Sequence, residues 1–293
     1  MSKAARAMIL TTGEGVRLLG YHSARSNLPT RGRVILLHGW EGSVDSVYVR
    51  RTGTALYERG YDVFRLNLRD HGDSHHLNEG LFYATALEEV FSAVRQAAAL
   101  HPKTPSFLVG FSLGGNYALR IAVRCKSEPI ENLKHVVSIS PVLDPDDATD
   151  KIDSCAYIQR YFLKKWHRSL QKKQGLFPLR YDFSAALQRR TVRSVTEVLL
   201  SDYSRYHSAR AYFRDYTLLG DALLDIAVPT TLLTAEDDPV ISVAHFKQLQ
   251  LNGHTHLAVQ PFGGHNGFIS GFSLRSFYER SLADLFDAAS QST

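Results

Sequence analysis

Phe107-Leu108-Val109-Gly110-Phe111-Ser112-Leu113-Gly114-Gly115-Asn116 carries the most informative pattern in this 293-residue chain. Ser106 to Phe111 reads as a strand and Leu113 to Cys125 as a helix, with Gly-x-Ser-x-Gly at their junction. Such a junction has specific mechanics. The serine sits on a sharp, strained turn that pushes its hydroxyl out of the sheet, and glycines two residues to either side leave room for the adjoining strand and helix. The turn also sets Ser112 at the positive end of the following helix, which favours negative charge developing there. The five-residue pattern alone could be a chance turn; the strand before it and the helix after it make Ser112 a candidate nucleophile. A serine hydroxyl is weak at neutral pH and needs a base beside it.

Working outward, short apolar runs alternate with amphipathic stretches. Ala7 to Leu10 and Val16 to Tyr21 flank a Gly13/Gly15 turn and suggest a hairpin. Strands are expected at Val34 to Leu37, Val63 to Leu68, Val136 to Ile139, Thr230 to Thr234 and Leu257 to Gln260. Helices are expected at Ser46 to Arg59, ending at Gly60, and at Leu81 to Leu100, Val243 to Leu251 and Ser273 to Ala288. Repeated strand–helix units with buried apolar strands imply an α/β fold, a mostly parallel sheet with helices on both faces. The alternation lapses between Asp144 and Asp225, where the composition is helical and rich in Tyr, Arg and Lys. This predicts a core formed by residues 1–143 and 226–293 and a helical cap, 144–225, inserted between core strands.

In chain order the partners of such a serine are an acid and then a histidine. His265, in Gly263-Gly264-His265-Asn266-Gly267, follows the last expected strand and precedes the last helix. Glycines on both sides suit a loop tip that carries an imidazole over the sheet edge. The acid belongs after the preceding strand, in Glu236-Asp237-Asp238-Pro239, where Asp237 and Asp238 both qualify. Asp before Pro is also a common turn cap.

Together with Leu37-His38-Gly39-Trp40-Glu41-Gly42-Ser43, Arg65-Leu66-Asn67-Leu68-Arg69-Asp70-His71-Gly72-Asp73-Ser74, Ser140-Pro141-Val142-Leu143-Asp144-Pro145 and Gly264-His265-Asn266-Gly267, these stretches resemble the α/β-hydrolase superfamily, and most specifically its YheT-like group of candidate carboxylesterases. The resemblance runs from about residue 34 to 270 and leaves out the cap. It implies an esterase-type activity on an acyl ester, with no cofactor. It implies backbone N–H groups of Trp40 and Leu113 as an oxyanion hole, with the Trp40 ring packing on the acyl pocket or cap and His38 as a structural histidine. It also favours Asp238 over Asp237, because the family's strand places a small residue three positions before the acid, as Ala235 is here; some relatives carry the acid one strand earlier, at the place of Asp144. One departure is Asp70, where the family usually has Gly in an Arg-Gly-x-Gly turn. The expected catalytic set is Ser112, His265 and Asp238.

Other readings are weaker. Apolar residues make up 44% and charged residues 22%, an ordinary globular composition. No run approaches the roughly 18 apolar residues of a membrane span. The basic N-terminus lacks a signal-peptide core. Cys125 and Cys155 suggest no disulfide framework, so a reduced, cytoplasmic protein is expected. His71-Gly72-Asp73-Ser74-His75-His76 lacks a complete metal-ligand pattern. Asp144, Asp146, Asp147 and Asp150 lack the Gly and Glu of a calcium loop and fit a helix cap instead.

Between Arg160 and Arg193 there are ten Lys or Arg against Asp182 alone. Phe162, Leu163, Trp166 and Leu170 form a helical stripe with basic residues on the other face. A solvated cap helix explains this pattern; so does peripheral contact with an anionic membrane or lipid. No base-reading module argues for nucleic acid. An acyltransferase, thioesterase or peptidase would use the same triad, and a non-catalytic ligand-binding protein could share the fold. Acyl chain length, alcohol and oligomeric state are not encoded legibly.

Overall fold

The computed structural model describes residues 1–25, 29–270 and 275–291. Its elements are β1 (Ala5–Thr11), β2 (Arg17–Ser23), β3 (Arg33–Leu37), α1 (Val47–Glu58), β4 (Asp62–Leu66), α2 (Leu87–Ala99), β5 (Ser106–Phe111), α3 (Leu113–Arg124) and β6 (Leu133–Ile139). There follow α4 (Pro145–Ser154), α5 (Ala156–Leu176), α6 (Ser184–Leu187), α7 (Val192–Tyr203) and α8 (Ala209–Arg214). The chain closes with β7 (Thr230–Ala235), α9 (Val243–Lys247), β8 (Thr255–Gln260), β9 (Ile269–Ser270), β10 (Arg275–Ser276) and α10 (Tyr278–Gln291).

One sheet runs in the order β1-β2-β4-β3-β5-β6-β7-β8. β1 pairs antiparallel with β2 and β2 with β4; every later pairing is parallel. Period-2 side-chain alternation divides the apolar residues between two faces. Val34, Leu36, Phe107 and Val109 pack with Val49 and Leu56 of α1 and Leu282 and Phe286 of α10. Ile35, Leu37 and Leu108 face the other way, onto Val90 and Val94 of α2 and Tyr117 and Ile121 of α3. Because β3 and β5–β8 are parallel, their carboxyl ends share one edge, where ligands bind in open α/β sheets.

All five helices between β6 and β7 lie in the segment expected to be a cap. Asp144 opens it: its Oδ1 accepts the Asp146 and Asp147 N–H groups at 3.0 and 3.2 Å, with Pro145 in the first turn. Leu170, Tyr181, Phe183, Val195 and Leu199 form a small apolar cluster of the cap's own, joined by Leu81 from the core.

Three helix ends differ from expectation. The helix expected from Leu81 begins at Leu87. Phe82 N–H donates to Asp70 Oδ2 and Ala84 N–H to Tyr212 Oη, while the Tyr83 and Ala84 carbonyls accept from Tyr117 and Arg120. Backbone groups committed to tertiary partners are not free for a helical ladder. The helix expected to reach Leu251 stops at Lys247, and Gln250 N–H goes to Gly220 O at 2.8 Å. The last helix starts at Tyr278, after a short β9–β10 pairing; its expected start at Ser273 lies outside the described residues.

Candidate active site

Ser112 sits between β5 and α3 with φ 52° and ψ −115°, a conformation that costs a non-glycine residue about 1–3 kcal/mol. Hydrogen bonds hold it there: its N–H donates to Ile139 O at 2.9 Å and its carbonyl accepts Asn116 N–H at 3.0 Å. Two glycines allow the turn. A Cβ on Gly110 would lie 2.1 Å from Gly114 O, and one on Gly114 would lie 2.5 Å from Leu37 O.

His265 Nε2 lies 3.0 Å from Ser112 Oγ. Its Nδ1 lies 2.9 Å from Asp238 Oδ2 and 3.2 Å from Asp238 Oδ1. Asp238 Oδ1 also accepts the Val240 and Ile241 N–H groups at 2.8 and 2.9 Å. The turn cap and the imidazole partner, alternatives at the level of sequence, are the same carboxylate. Asp237 points elsewhere: its Oδ1 accepts Gly263 N–H and Gly264 N–H, each at 2.8 Å, and so ties down the loop that carries His265. Asp144 is occupied in capping α4.

Trp40 N–H and Leu113 N–H take no hydrogen-bond partner among the described residues. The loop bearing Trp40 is held by three side chains. His38 Nε2 accepts Leu68 N–H at 3.1 Å while its Nδ1 lies 2.7 Å from Gly39 O. Tyr48 Oη accepts Gly39 N–H at 2.9 Å, and His71 Nε2 accepts Glu41 N–H at 3.1 Å. Burial lowers the pKa of both imidazoles, His38 well below its ordinary value and His71 to about 4. Both rings are therefore neutral at pH 7, which their role as acceptors requires. The Trp40 ring stacks on Phe162 at 5.2 Å and meets Trp166 edge-on at 4.9 Å, so helix α5 packs on Trp40.

Sequence reasoning missed the roles of Tyr48 and His71; nothing in their local pattern marks them. It also missed Lys173, for which a signal existed: the apolar stripe through Trp166 and Leu170 continues at helical spacing to 173, so that position faces inward. Lys173, 1% exposed, pairs with Asp70 at 2.7 Å and donates to Asn78 O and Gly80 O at 2.7 and 3.0 Å. Asp70 has φ 57°, a left-handed conformation that suits glycine, the residue the resemblance leads one to expect here; in this chain its carboxylate pairs with Lys173 and ties α5 to the core. In the run 71–76, His71 Nε2 accepts Glu41 N–H and His75 Nε2 meets Ser169 Oγ. Among the described residues no group of three or more His, Cys, Asp or Glu is placed to hold a metal.

A cavity of about 660 Å³ lies between cap and core. Ser112, His265, Trp40, Phe162, Trp166 and Tyr212 are among its walls, which are mostly apolar, as small-molecule sites are. Glu41 reaches the same cavity. Burial raises its carboxyl pKa to about 8, against the opposing pull of the Lys165 ammonium. The folded state therefore retains a proton that the unfolded chain has released between about pH 4.5 and 8, and stability falls as pH rises through that window. Glu41→Gln is expected to flatten this slope and raise the thermal midpoint at pH 8 relative to wild type. Parallel melting curves from pH 5 to 9 measure it.

The fold and site define an esterase-like serine hydrolase of the α/β-hydrolase class. Residues 29–262 match the family model described as serine aminopeptidase, S33, and the chain belongs to that family. It is 27% identical over 294 residues to a Synechocystis protein described as a candidate esterase, slr0264, covering 90% of this chain and 77% of that one. It is 24% identical over 252 residues to the candidate esterase YheT of Escherichia coli, covering 82% and 71%. The Pyrococcus furiosus esterase Pf2001 superposes with a TM-score of 0.60 at 17% identity, over 97% of this chain and 91% of that one. The 2,6-dihydroxy-pseudo-oxynicotine hydrolase gives 0.63 at 18%, over 99% and 69%; at such identities these two likenesses speak for the fold alone. Among the described residues no helix is long and apolar enough to cross a membrane.

Proposed function

We propose that the protein hydrolyses carboxylic esters through an acyl-enzyme on Ser112. One observation carries the reading: the His265 ring bridges Ser112 Oγ, at 3.0 Å, and the Asp238 carboxylate, at 2.9 Å. His265 takes the Ser112 proton as Oγ attacks the acyl carbonyl. Asp238 holds the tautomer with its proton on Nδ1 and stabilises the imidazolium, remaining ionised itself. The Trp40 and Leu113 amides, which have no other partner among the described residues, receive the oxyanion; loss of one such donor costs about 10²–10³ in rate. His265 then returns the proton to the departing alcohol, and a water activated by the same ring releases the acid.

Where the p-nitrophenolate leaving group makes acylation faster than deacylation, this order of events predicts a pre-steady-state burst of about one equivalent per active site from p-nitrophenyl esters, followed by slower turnover as water deacylates the enzyme. Rapid-mixing absorbance measures it. An enzyme that neither bursts nor turns over any ester of the series would contradict the proposal. An acyltransferase would show itself by the amounts of new ester formed when alcohols are added.

A further inference from the structure

The sequence places ten cations between Arg160 and Arg193, and the structure sorts them. Lys173 is buried against Asp70, Arg193 pairs with Asp146 and Asp150, Arg180 with Glu79 and Lys172 with Asp73. Lys165 lines the cavity and donates to Tyr161 Oη at 3.1 Å. Arg160, Lys164, Arg168, Arg189 and Arg190 remain, all exposed and none with a side-chain ion pair or hydrogen bond among the described residues; three of them, Arg160, Lys164 and Arg168, lie on α5. These three stand four residues apart, so they form one row on a helix of 21 residues that contains no Asp or Glu. Like charges at this spacing oppose helix formation, and an anionic surface would relieve that repulsion.

The row has aromatic company. Tyr157, 83% exposed, and Tyr161, 52% exposed, lie on the same outward face, and Leu179 just beyond the helix is fully exposed. Tyr161 also lines the cavity, as does Val47, which is 70% exposed. These two residues therefore stand at the rim, and the basic row borders the opening of an apolar cavity that leads to Ser112. Cations beside interfacial tyrosines at an apolar mouth match the chemistry of a lipid–water boundary. They do not match a base-stacking groove: Tyr161 stands at the rim of the opening and Tyr157 lies outside the cavity lining, so no row of stacked rings lines a channel.

We infer that the outer face of α5 docks on an anionic membrane surface and that the substrate ester is a lipid taken up from that surface through the adjoining cavity mouth. The choice of substrate rests on the ester-hydrolase reading above; the docking does not. Co-sedimentation with phosphatidylcholine vesicles, with and without phosphatidylserine, separates the two. The protein is expected to bind the phosphatidylserine vesicles selectively and to be released at roughly 1 M salt, where the screening length falls to about 3 Å. The triple variant Arg160→Gln, Lys164→Gln, Arg168→Gln is expected to partition on the order of 100-fold more weakly. It should keep wild-type turnover of a soluble p-nitrophenyl ester and a wild-type thermal midpoint.

Equal partitioning to neutral and anionic vesicles, wild-type partitioning by the triple variant, or binding of poly(U) with no vesicle binding would each overturn the docking. Selective vesicle binding by a protein that cleaves no ester would leave the docking in place and remove the esterase reading. Ester turnover without vesicle binding would do the reverse.

Discussion

Ser112→Ala is expected to lower kcat toward p-nitrophenyl esters by about 10⁶-fold, with no change in the thermal midpoint. The size follows from cooperation. In the proposed mechanism Oγ forms the bond to the acyl carbon and the His265 ring moves the proton, so either alone would accomplish almost nothing. His265→Ala should therefore cost about as much, and the double variant little more, because residues acting as a unit are not additive. Asp238→Asn should cost about 10⁴-fold, since an amide in place of the carboxylate favours the wrong imidazole tautomer. Asp237→Asn keeps an oxygen for the Gly263 and Gly264 amides and should cost far less. Steady-state kinetics on the five proteins test the series. Equal losses at 237 and 238, or additive losses at 112 and 265, would contradict the assignment of roles.

The second large effect concerns stability. Lys173→Met is expected to destabilise the fold by about 3–5 kcal/mol, because it leaves a charged partner buried and alone. Burial raises the pKa of Asp70 and lowers that of Lys173, while each charge opposes the shift of the other. Neither ion is comfortable without its partner. Removing both is a different experiment. In the double variant Asp70→Gly, Lys173→Met, glycine takes the φ of 57° without strain and no charge is stranded. It should regain part of the loss, the Phe82 N–H and the Asn78 and Gly80 carbonyls still lacking their partners. Chemical denaturation gives both values. A Lys173→Met protein within about 0.5 kcal/mol of wild type, the ordinary range for a surface change, would show that the pair does not hold the cap.

Much of this architecture is legible in sequence because it rests on local rules. The strand expected at Ser106 to Phe111 and the helix expected from Leu113 match β5 and α3 almost to the residue, since a strand, a tight turn and a helix each leave a local signature. Chain order and flanking glycines single out His265 among thirteen histidines, and its Nε2 lies 3.0 Å from Ser112 Oγ. Choosing Asp238 over Asp237 required the resemblance; adjacent carboxylates look alike until the backbone shows which one meets the ring. The segment Leu81 to Ala86 has helical composition yet stays irregular, because its partners Asp70, Tyr117, Arg120 and Tyr212 come from distant parts of the chain.

Charge misled for the same reason. Asp182 is the only acid in the window from 160 to 193, but Asp70, Asp73, Glu79, Asp146 and Asp150 fold in from outside it to meet Lys173, Lys172, Arg180 and Arg193. Which cations remain free is a tertiary property: of the five left without partners among the described residues, Arg160, Lys164 and Arg168 form the row on α5 that the proposed docking uses.

The central claim is that the Ser112 hydroxyl is activated by His265. Covalent labelling with a fluorophosphonate, followed by peptide mass mapping, tests it most directly. One adduct per chain on the peptide containing Ser112, formed rapidly in wild type and lost in His265→Ala, is the predicted result. An adduct on another residue, or labelling of Ser112 at the same rate without the imidazole, would contradict it.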